Sequence, residues 1–360
     1  MDNEEFKKIR RKTRPLKIGS VPVGGGSPVT VQSMTNTDTR DIKATTEQIN
    51  RLAEAGCEII RCAVPDPESA ACLSEIKEQI SIPLVADIHF DYRLALKAAE
   101  QGVDGLRINP GNIGGENRIK KVVSAARAAN LPIRIGVNSG SLSRDILQEH
   151  GGPTPEAMVE SAVQNIKILE NEGFYDIILS LKSTSIWTTL LSYRLAAHQI
   201  DYPFHIGITE AGSGPEGIVK SASGLGALLS QGYGDTLRVS LTGDPLQEVI
   251  TGWQVLQSMG LRQRGPQVIS CPTCGRTGVD LPVLTEKVKE LLSDVKPPLT
   301  VAVMGCEVNG PGEARSADIG IAAGKKEGII FKKGQKIKKV PEEELISALK
   351  EEIEKMIKNR

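Results

Sequence analysis

The sequence predicts an α/β chain, a closed (β/α)8 TIM barrel followed by a small α+β domain. Three observations carry this expectation. Eight short segments rich in Ile, Val and Leu recur along the first two thirds of the chain, and a stretch with helical spacing follows each. Aromatic residues make up only 3% of the 360 residues, so the core has to be built from Ile, Leu, Val and Ala, which suits buried parallel strands and their covering helices. Beyond Gly260 the rhythm changes, and we divide the chain into a barrel domain, 1–262, and a second domain, 263–360.

The elements follow in order. Residues 16–28, with Gly24-Gly25-Gly26, read as a hairpin that plugs the bottom of the barrel. Barrel strands are expected at 29–35, 58–64, 84–89, 105–109, 133–138, 176–182, 204–209 and 236–241. Helices are expected at 45–55, 116–129, 155–172, 188–199 and 246–259. Eight units with short connections favour closure over an open doubly wound sheet. Residues 260–270 read as a boundary. After it come a helix at 284–292 ended by Pro297-Pro298, strands at 300–304 and 319–323, a strand–turn–strand at 328–340 and an amphipathic helix at 342–357.

Lys+Arg and Asp+Glu both number 44, so no overall charge draws the chain to nucleic acid or membrane. The polar, basic start lacks the apolar core of a signal peptide, and no long apolar run follows, so a soluble cytoplasmic protein is expected. Arg10-Arg11-Lys12 reads as a solvated terminal segment. Six unevenly spaced cysteines do not form a disulfide framework. Cys57, Cys62 and Cys72, among Ala and Ile, read as small hydrophobes. His150 and His198 read as bystanders.

Chemistry in such barrels collects at the C-terminal strand ends, and residues two apart share a face. Here those positions hold Arg61, Asp87, His89, Arg107, Asn109, Arg134, Asn138, Lys182, Glu210, Arg238 and Ser240. Five cations at strand positions require anions, because buried Arg and Lys are almost always paired. Asp87 and Glu210 serve only some of them. Internal salt bridges are one reading. The sharper one is a polyanionic substrate, most simply a diphosphate, which guanidinium forks suit. Gly-rich loops at 212–217 and 242–244 follow strands seven and eight, where barrel phosphate sites often lie. The first matches G-x-G-x-x-G, but Pro215 interrupts it and it sits in the seventh unit, which argues against a dinucleotide site. Glu210 is the better proton-donor candidate, with a salt bridge to an arginine as its alternative; His89 is an acid/base group or a packed neighbour of Asp87.

Cys271-Pro-Thr-Cys274 and Cys306 supply three soft ligands, and no histidine follows His205. Zinc with three Cys and a carboxylate remains open. A 4Fe–4S cluster with three thiolates is the stronger reading. Its fourth ligand is expected close to Cys306, either Glu307 or Glu313, and the turn Gly310-Pro311-Gly312 favours Glu313. An oxygen ligand there would be exchangeable, since carboxylate is a poor match for such an iron.

Several motifs together resemble one family. They are Val31-Gln-Ser-Met-Thr-Asn-Thr-Asp, Ala86-Asp-Ile-His-Phe, Leu106-Arg-Ile-Asn-Pro-Gly-Asn, Gly136-Val-Asn-Ser-Gly-Ser-Leu, Ile208-Thr-Glu-Ala-Gly, Ser270-Cys-Pro-Thr-Cys-Gly-Arg and Gly305-Cys-Glu-Val-Asn-Gly-Pro-Gly-Glu-Ala. The family is 4-hydroxy-3-methylbut-2-enyl diphosphate synthase, in its shorter bacterial form without the large insert of plant-type members. The resemblance implies reductive ring opening and dehydration of 2-C-methyl-D-erythritol 2,4-cyclodiphosphate in the non-mevalonate isoprenoid pathway. It implies cluster ligands Cys271, Cys274, Cys306 and Glu313. It implies diphosphate contacts from Arg61, Arg107, Arg134, Lys182, Arg238 and Ser240 with Asn138 beside them, Glu210 near the reacting carbons, and Asn309 near the cluster. A ferredoxin or flavodoxin donor and a head-to-tail homodimer, one subunit's cluster capping the other's barrel, are implied as well. The rival from another class is a phosphate-ligand-binding barrel with a structural zinc knuckle.

Overall fold

The computed structural model describes residues 6, 8–306, 314–324 and 326–358, and the chain forms two compact units, Met1–Arg262 and Gln263–Arg360. In the first, β1 (Leu16–Ile18) and β2 (Val21–Val23) make an antiparallel hairpin. Eight parallel strands follow: β3 (Thr30–Met34), β4 (Ile59–Ala63), β5 (Leu84–Ile88), β6 (Gly105–Ile108), β7 (Ile133–Asn138), β8 (Ile177–Lys182), β9 (His205–Ile206) and β10 (Thr236–Leu237). Their order is β8-β7-β6-β5-β4-β3-β10-β9, and a parallel bridge from Leu179 to Phe204 completes the ring. Side-chain caps fix several helix starts: Asp41, Asp91, Thr154, Ser185 and Asp244 each accept a hydrogen bond from a backbone N–H two or three residues on.

Strand alternation sorts the side chains. Ile60, Cys62, Ala86, Leu106, Ile133, Ile135, Leu179 and Leu181 join the main core under the helices. Their neighbours Ile59, Val85 and Ile178 pack instead with Ile18 and Val23 of the hairpin, so an apolar plug closes the base as the sequence implies. Cys57 and Cys62 pack as hydrophobes, and burial pushes their thiols up to about 12 and about 11, out of reach of thiolate chemistry at neutral pH.

Three expectations are corrected. The arginine cluster near the start is not solvated. Arg10 pairs with Asp235 at 3.0 Å with its side chain 9% exposed, and Arg11 lies 3.7 Å from the Phe204 ring centroid while donating to the Ile200 carbonyl at 2.6 Å. Buried Asp235, which also accepts the Phe204 N–H at 2.8 Å, needs that cation. Strands seven and eight are two residues long rather than six. One further bond, Arg238 N–H to Ile206 O at 3.0 Å, continues the pairing before both chains turn into loops tied by Thr242 N–H to Gly212 O at 2.9 Å. The expected boundary at 260–270 contains a strand, Pro266–Ser270, whose half-buried edge position leaves little alternation to read.

The second unit is a five-stranded sheet. Strands β11 (Pro266–Ser270), β12 (Leu299–Met304) and β13 (Ile319–Ala323) run parallel, and β14 (Glu327–Lys332) and β15 (Gln335–Pro341) continue antiparallel. Helices Leu281–Leu291 and Leu345–Lys358 share one core with Val301, Val303, Ile319, Ile321 and Ile330.

The seam between β8 and β9 has little backbone pairing, and Tyr193, on helix Ile186–Ala197, substitutes for it. Its fully buried hydroxyl accepts the Leu181 N–H at 3.0 Å and donates to the His205 carbonyl at 2.7 Å. Tyr193→Phe strands both backbone groups and should cost about 1–3 kcal/mol. Urea unfolding should show a lower midpoint at unchanged slope; a variant as stable as the parent would mean that the seam holds without the hydroxyl.

Candidate active site

Asp87 sits at the centre of the barrel's inward face. Register places it beside Arg107, and Arg107 beside Arg134. Asp87 is 2% exposed, with Arg61 Nε 3.3 Å and His89 Nε2 3.4 Å from one oxygen and Arg107 Nη1 3.1 Å from the other. Burial alone would raise its pKa; Arg61, the hydrogen bond from His89 and Arg107 outweigh that and hold the carboxyl well below the usual range. Arg238 makes a two-toothed pair with Glu248, 3.1 Å on each side, and Glu248 also accepts from Ser33 Oγ and from the Leu241 N–H. The Met34 sulfur lies 2.9 Å from Arg61 Nη2 and 3.6 Å from Arg238 Nη1.

These two carboxylates serve three of the five cations. Arg134 and Lys182 have no carboxylate partner among the described residues. Arg134 donates instead to Gln32 Oε1. Burial, then repulsion from Arg61 and Arg107, drives the Arg134 pKa well down, and burial followed by Arg61 and Arg238 does the same for Lys182. Burial likewise pulls Arg61 down to about 10 despite Asp87. The ring therefore holds more cationic groups than carboxylates to pair them, and an anion at its centre would favour their protonated forms.

Two glycines make the ring possible. A Cβ on Gly136 would lie 2.7 Å from Arg107 Nε and Nη2, and one on Gly207 would lie 2.7 Å from the Arg238 carbonyl and 3.3 Å from Lys182 Nζ. Asn138 and Ser240 stand half-buried, two positions beyond Gly136 and Arg238 respectively. Glu210 is exposed, forms no ion pair among the described residues, and has a left-handed backbone with φ of 52°. The alternative reading of Glu210, a salt bridge to an arginine, is not seen; Glu248, a residue not singled out from the sequence, pairs with Arg238 instead. Lys220 Nζ holds the Glu210 carbonyl at 3.1 Å. Helix Gly214–Leu229 begins with no side-chain cap bond, leaving first-turn N–H groups open to an anion. Gln32 and Met34 were also missed, although they lie two apart on β3 as the cation positions do on their strands.

In the second unit, Ser270 is in register with Val303, so Cys271 and Cys306 leave the sheet at the same end of adjacent parallel strands. Gly305 N–H points at Cys271 Sγ, 3.3 Å away. Thr277 N–H bonds the Cys274 carbonyl at 2.9 Å, and Gly278 N–H bonds the Gly305 carbonyl at 3.0 Å, so the loop is fastened to the strand that leads to Cys306. Backbone and side-chain hydrogen bonds from Arg276 lower the pKa of exposed Cys274, favouring its thiolate. Glu307, Asn309 and Glu313 lie outside the described residues.

Among the described residues, Glu149, His150 and Glu160 are the group of three such side chains whose ligand atoms fall within 4.8 Å of one another; the three sulfurs are spread more widely. A single zinc ion gathers its thiolates at bonds of about 2.3 Å, whereas cluster thiolates are shared out over several irons. Three thiolates with no histidine after His205 are a donor set that suits a cluster. His150 pairs with Glu160 at 2.7 Å.

Family comparison matches both units. The GcpE TIM-barrel domain model matches residues 13–253, and that of the GcpE protein C-terminal domain matches 267–355. The chain is 58% identical over 351 residues to a protein of Caldanaerobacter subterraneus subsp. tengcongensis, covering 98% of this chain and 99% of that one. It is 56% identical over 349 residues to a protein of Geobacter sulfurreducens, covering 97% and 99%. Both relatives bear the name 4-hydroxy-3-methylbut-2-en-1-yl diphosphate synthase (flavodoxin).

Two outcomes are expected. Gly136→Ala should push the Arg107 guanidinium off its seat and weaken inorganic diphosphate binding about tenfold, the scale of one charge-assisted hydrogen bond; calorimetric titration showing unchanged affinity would refute this. Lys182→Met should weaken the same binding yet stabilise the fold. The folded-state pKa of Lys182 lies below its unfolded value, so the unfolded chain binds the extra proton and wild-type stability falls as pH drops from about 10.4 toward the folded value. Urea unfolding at pH 7 and pH 9 should show a smaller loss in the variant.

Proposed function

The chain belongs to the GcpE family, the flavodoxin-dependent 4-hydroxy-3-methylbut-2-en-1-yl diphosphate synthases, and we propose that its barrel mouth and cysteine loop divide the work of that enzyme. The reaction is reductive ring opening of 2-C-methyl-D-erythritol 2,4-cyclodiphosphate with loss of water, a step of the non-mevalonate isoprenoid pathway. It consumes two electrons and two protons.

The observation that carries the division is that Arg134 and Lys182 have no carboxylate partner among the described residues, beside the paired Arg61, Arg107 and Arg238. The diphosphate completes this ring, and Asn138 and Ser240 add hydrogen bonds to its oxygens. Fixed cations oriented before the reaction hold both phosphates while the ring opens, so the reacting carbons stay in place. The exposed carboxyl of Glu210, at the mouth of the seventh strand, hands a proton to the departing hydroxyl, which leaves as water. Its left-handed backbone is the kind of local strain that functional positions keep.

Cys271, Cys274 and Cys306, with Glu313 as an oxygen ligand and Asn309 close by, would hold a 4Fe–4S cluster, which supplies electrons one at a time. Flavodoxin is the donor that the relatives' names support; ferredoxin is the alternative. The working form is a head-to-tail homodimer, as the resemblance implies, and the balanced charge of the sequence supports a cytoplasmic protein without nucleic-acid or membrane partners. No helix among the described residues is long and apolar enough to cross a membrane.

Anaerobically purified protein should be brown, with about four irons and four sulfides per chain. Arg107→Ala should keep that content and raise KM more than about tenfold, while Cys306→Ser should lose the iron. A colourless protein with one zinc would favour the zinc-knuckle barrel instead, and an Arg107→Ala variant that bleached would break the division of labour.

A further inference from the structure

Between the apolar plug and the cation ring lies a cavity of about 10 Å³, room for one water-sized sphere. Its polar lining is Gln32, Arg134, His205 and Thr236. Two of these residues carry a buried atom with no hydrogen-bond partner among the described residues, Arg134 Nη2 and His205 Nε2. Arg134 is 4% exposed and His205 1%, so bulk water does not serve them. Two such atoms beside one cavity call for a shared partner, because each costs about 1–3 kcal/mol if left unmet.

We infer that this cavity is the site of one structural water bridging Arg134 Nη2 and His205 Nε2, and that His205 is thereby a positioning residue for the Arg134 guanidinium. The inference rests on Arg134 serving as a phosphate ligand. His205 and Thr236 are register partners, and His205 Nδ1 lies 2.5 Å from Thr236 Oγ1. If Nδ1 donates to that hydroxyl, Nε2 accepts from the water. If the hydroxyl donates instead, Nε2–H and Nη2–H both point at the water's two lone pairs. Either tautomer leaves Arg134 held on two sides, by Gln32 and by the water. Burial, then Arg134 and Lys182, keep the imidazole neutral, so it adds no further cation to the site.

A high-resolution crystal structure of the holoenzyme tests the water directly: density between His205 and Arg134 is expected, and a dry cavity overturns the inference. His205→Leu should raise KM for the cyclodiphosphate about tenfold, with kcat within about twofold and iron content unchanged. His205→Gln, which keeps a group able to bond the water, should recover most of the loss. If His205→Leu leaves KM unchanged while Arg107→Ala raises it, the positioning role fails and the diphosphate reading survives. If neither variant raises KM, the diphosphate reading itself is wrong, whatever density the cavity shows.

Discussion

The barrel is organised around a surplus of buried positive charge. Two carboxylates, Asp87 and Glu248, neutralise three of five cations and leave Arg134 and Lys182 without a counter-ion among the described residues. Such an arrangement costs folding stability, since desolvation of a charge exceeds what distant partners return. The rest of the barrel makes that cost tolerable. The apolar layer of Ile59, Val85 and Ile178 with the hairpin seals the base, and the strand glycines leave room for the guanidinium and ammonium groups above it.

The same charge organises the local chemistry. Asp87 stays ionised because three cationic or hydrogen-bonding groups converge on it, so it orients arginines rather than donating protons. Glu210 stands outside the ring and is exposed. In the second unit the logic is reversed: Arg276 favours negative sulfur at Cys274, and the Gly305 N–H points at the Cys271 sulfur.

Much of this was legible in the sequence because a strand's period of two is easy to read. Arg61, Arg107, Arg134, Lys182 and Arg238 could be placed on one inward face from spacing alone. What spacing does not carry is pairing between elements. Glu248 looks like an ordinary first-turn helix residue, and only the packed structure brings it to Arg238. Gly136 and Gly207 read as weak points of strands, because the atoms they make way for belong to other strands. His205 sits in a short strand, and nothing local marks the buried cavity it faces. Arg10 and Arg11 were misread for the same reason, since their partners lie some two hundred positions away. Strand 266–270 escaped notice because Val268 and Ile269 pack against different clusters, so half-buried apolar residues follow one another and leave no alternation to read.

That distance has a consequence for how the molecule is made. The Arg10 contact with Asp235 spans 225 positions, nearly the whole barrel unit. It cannot form until Asp235 has left the ribosome, so Arg10 waits through the synthesis of 225 further positions before it docks. Contacts of such long range are the slow ones in folding. The Arg10 segment therefore docks only after the barrel strands up to Asp235 have been made. A change that removes the Arg10–Asp235 pair would then act late in folding and leave the earlier strand pairing untouched.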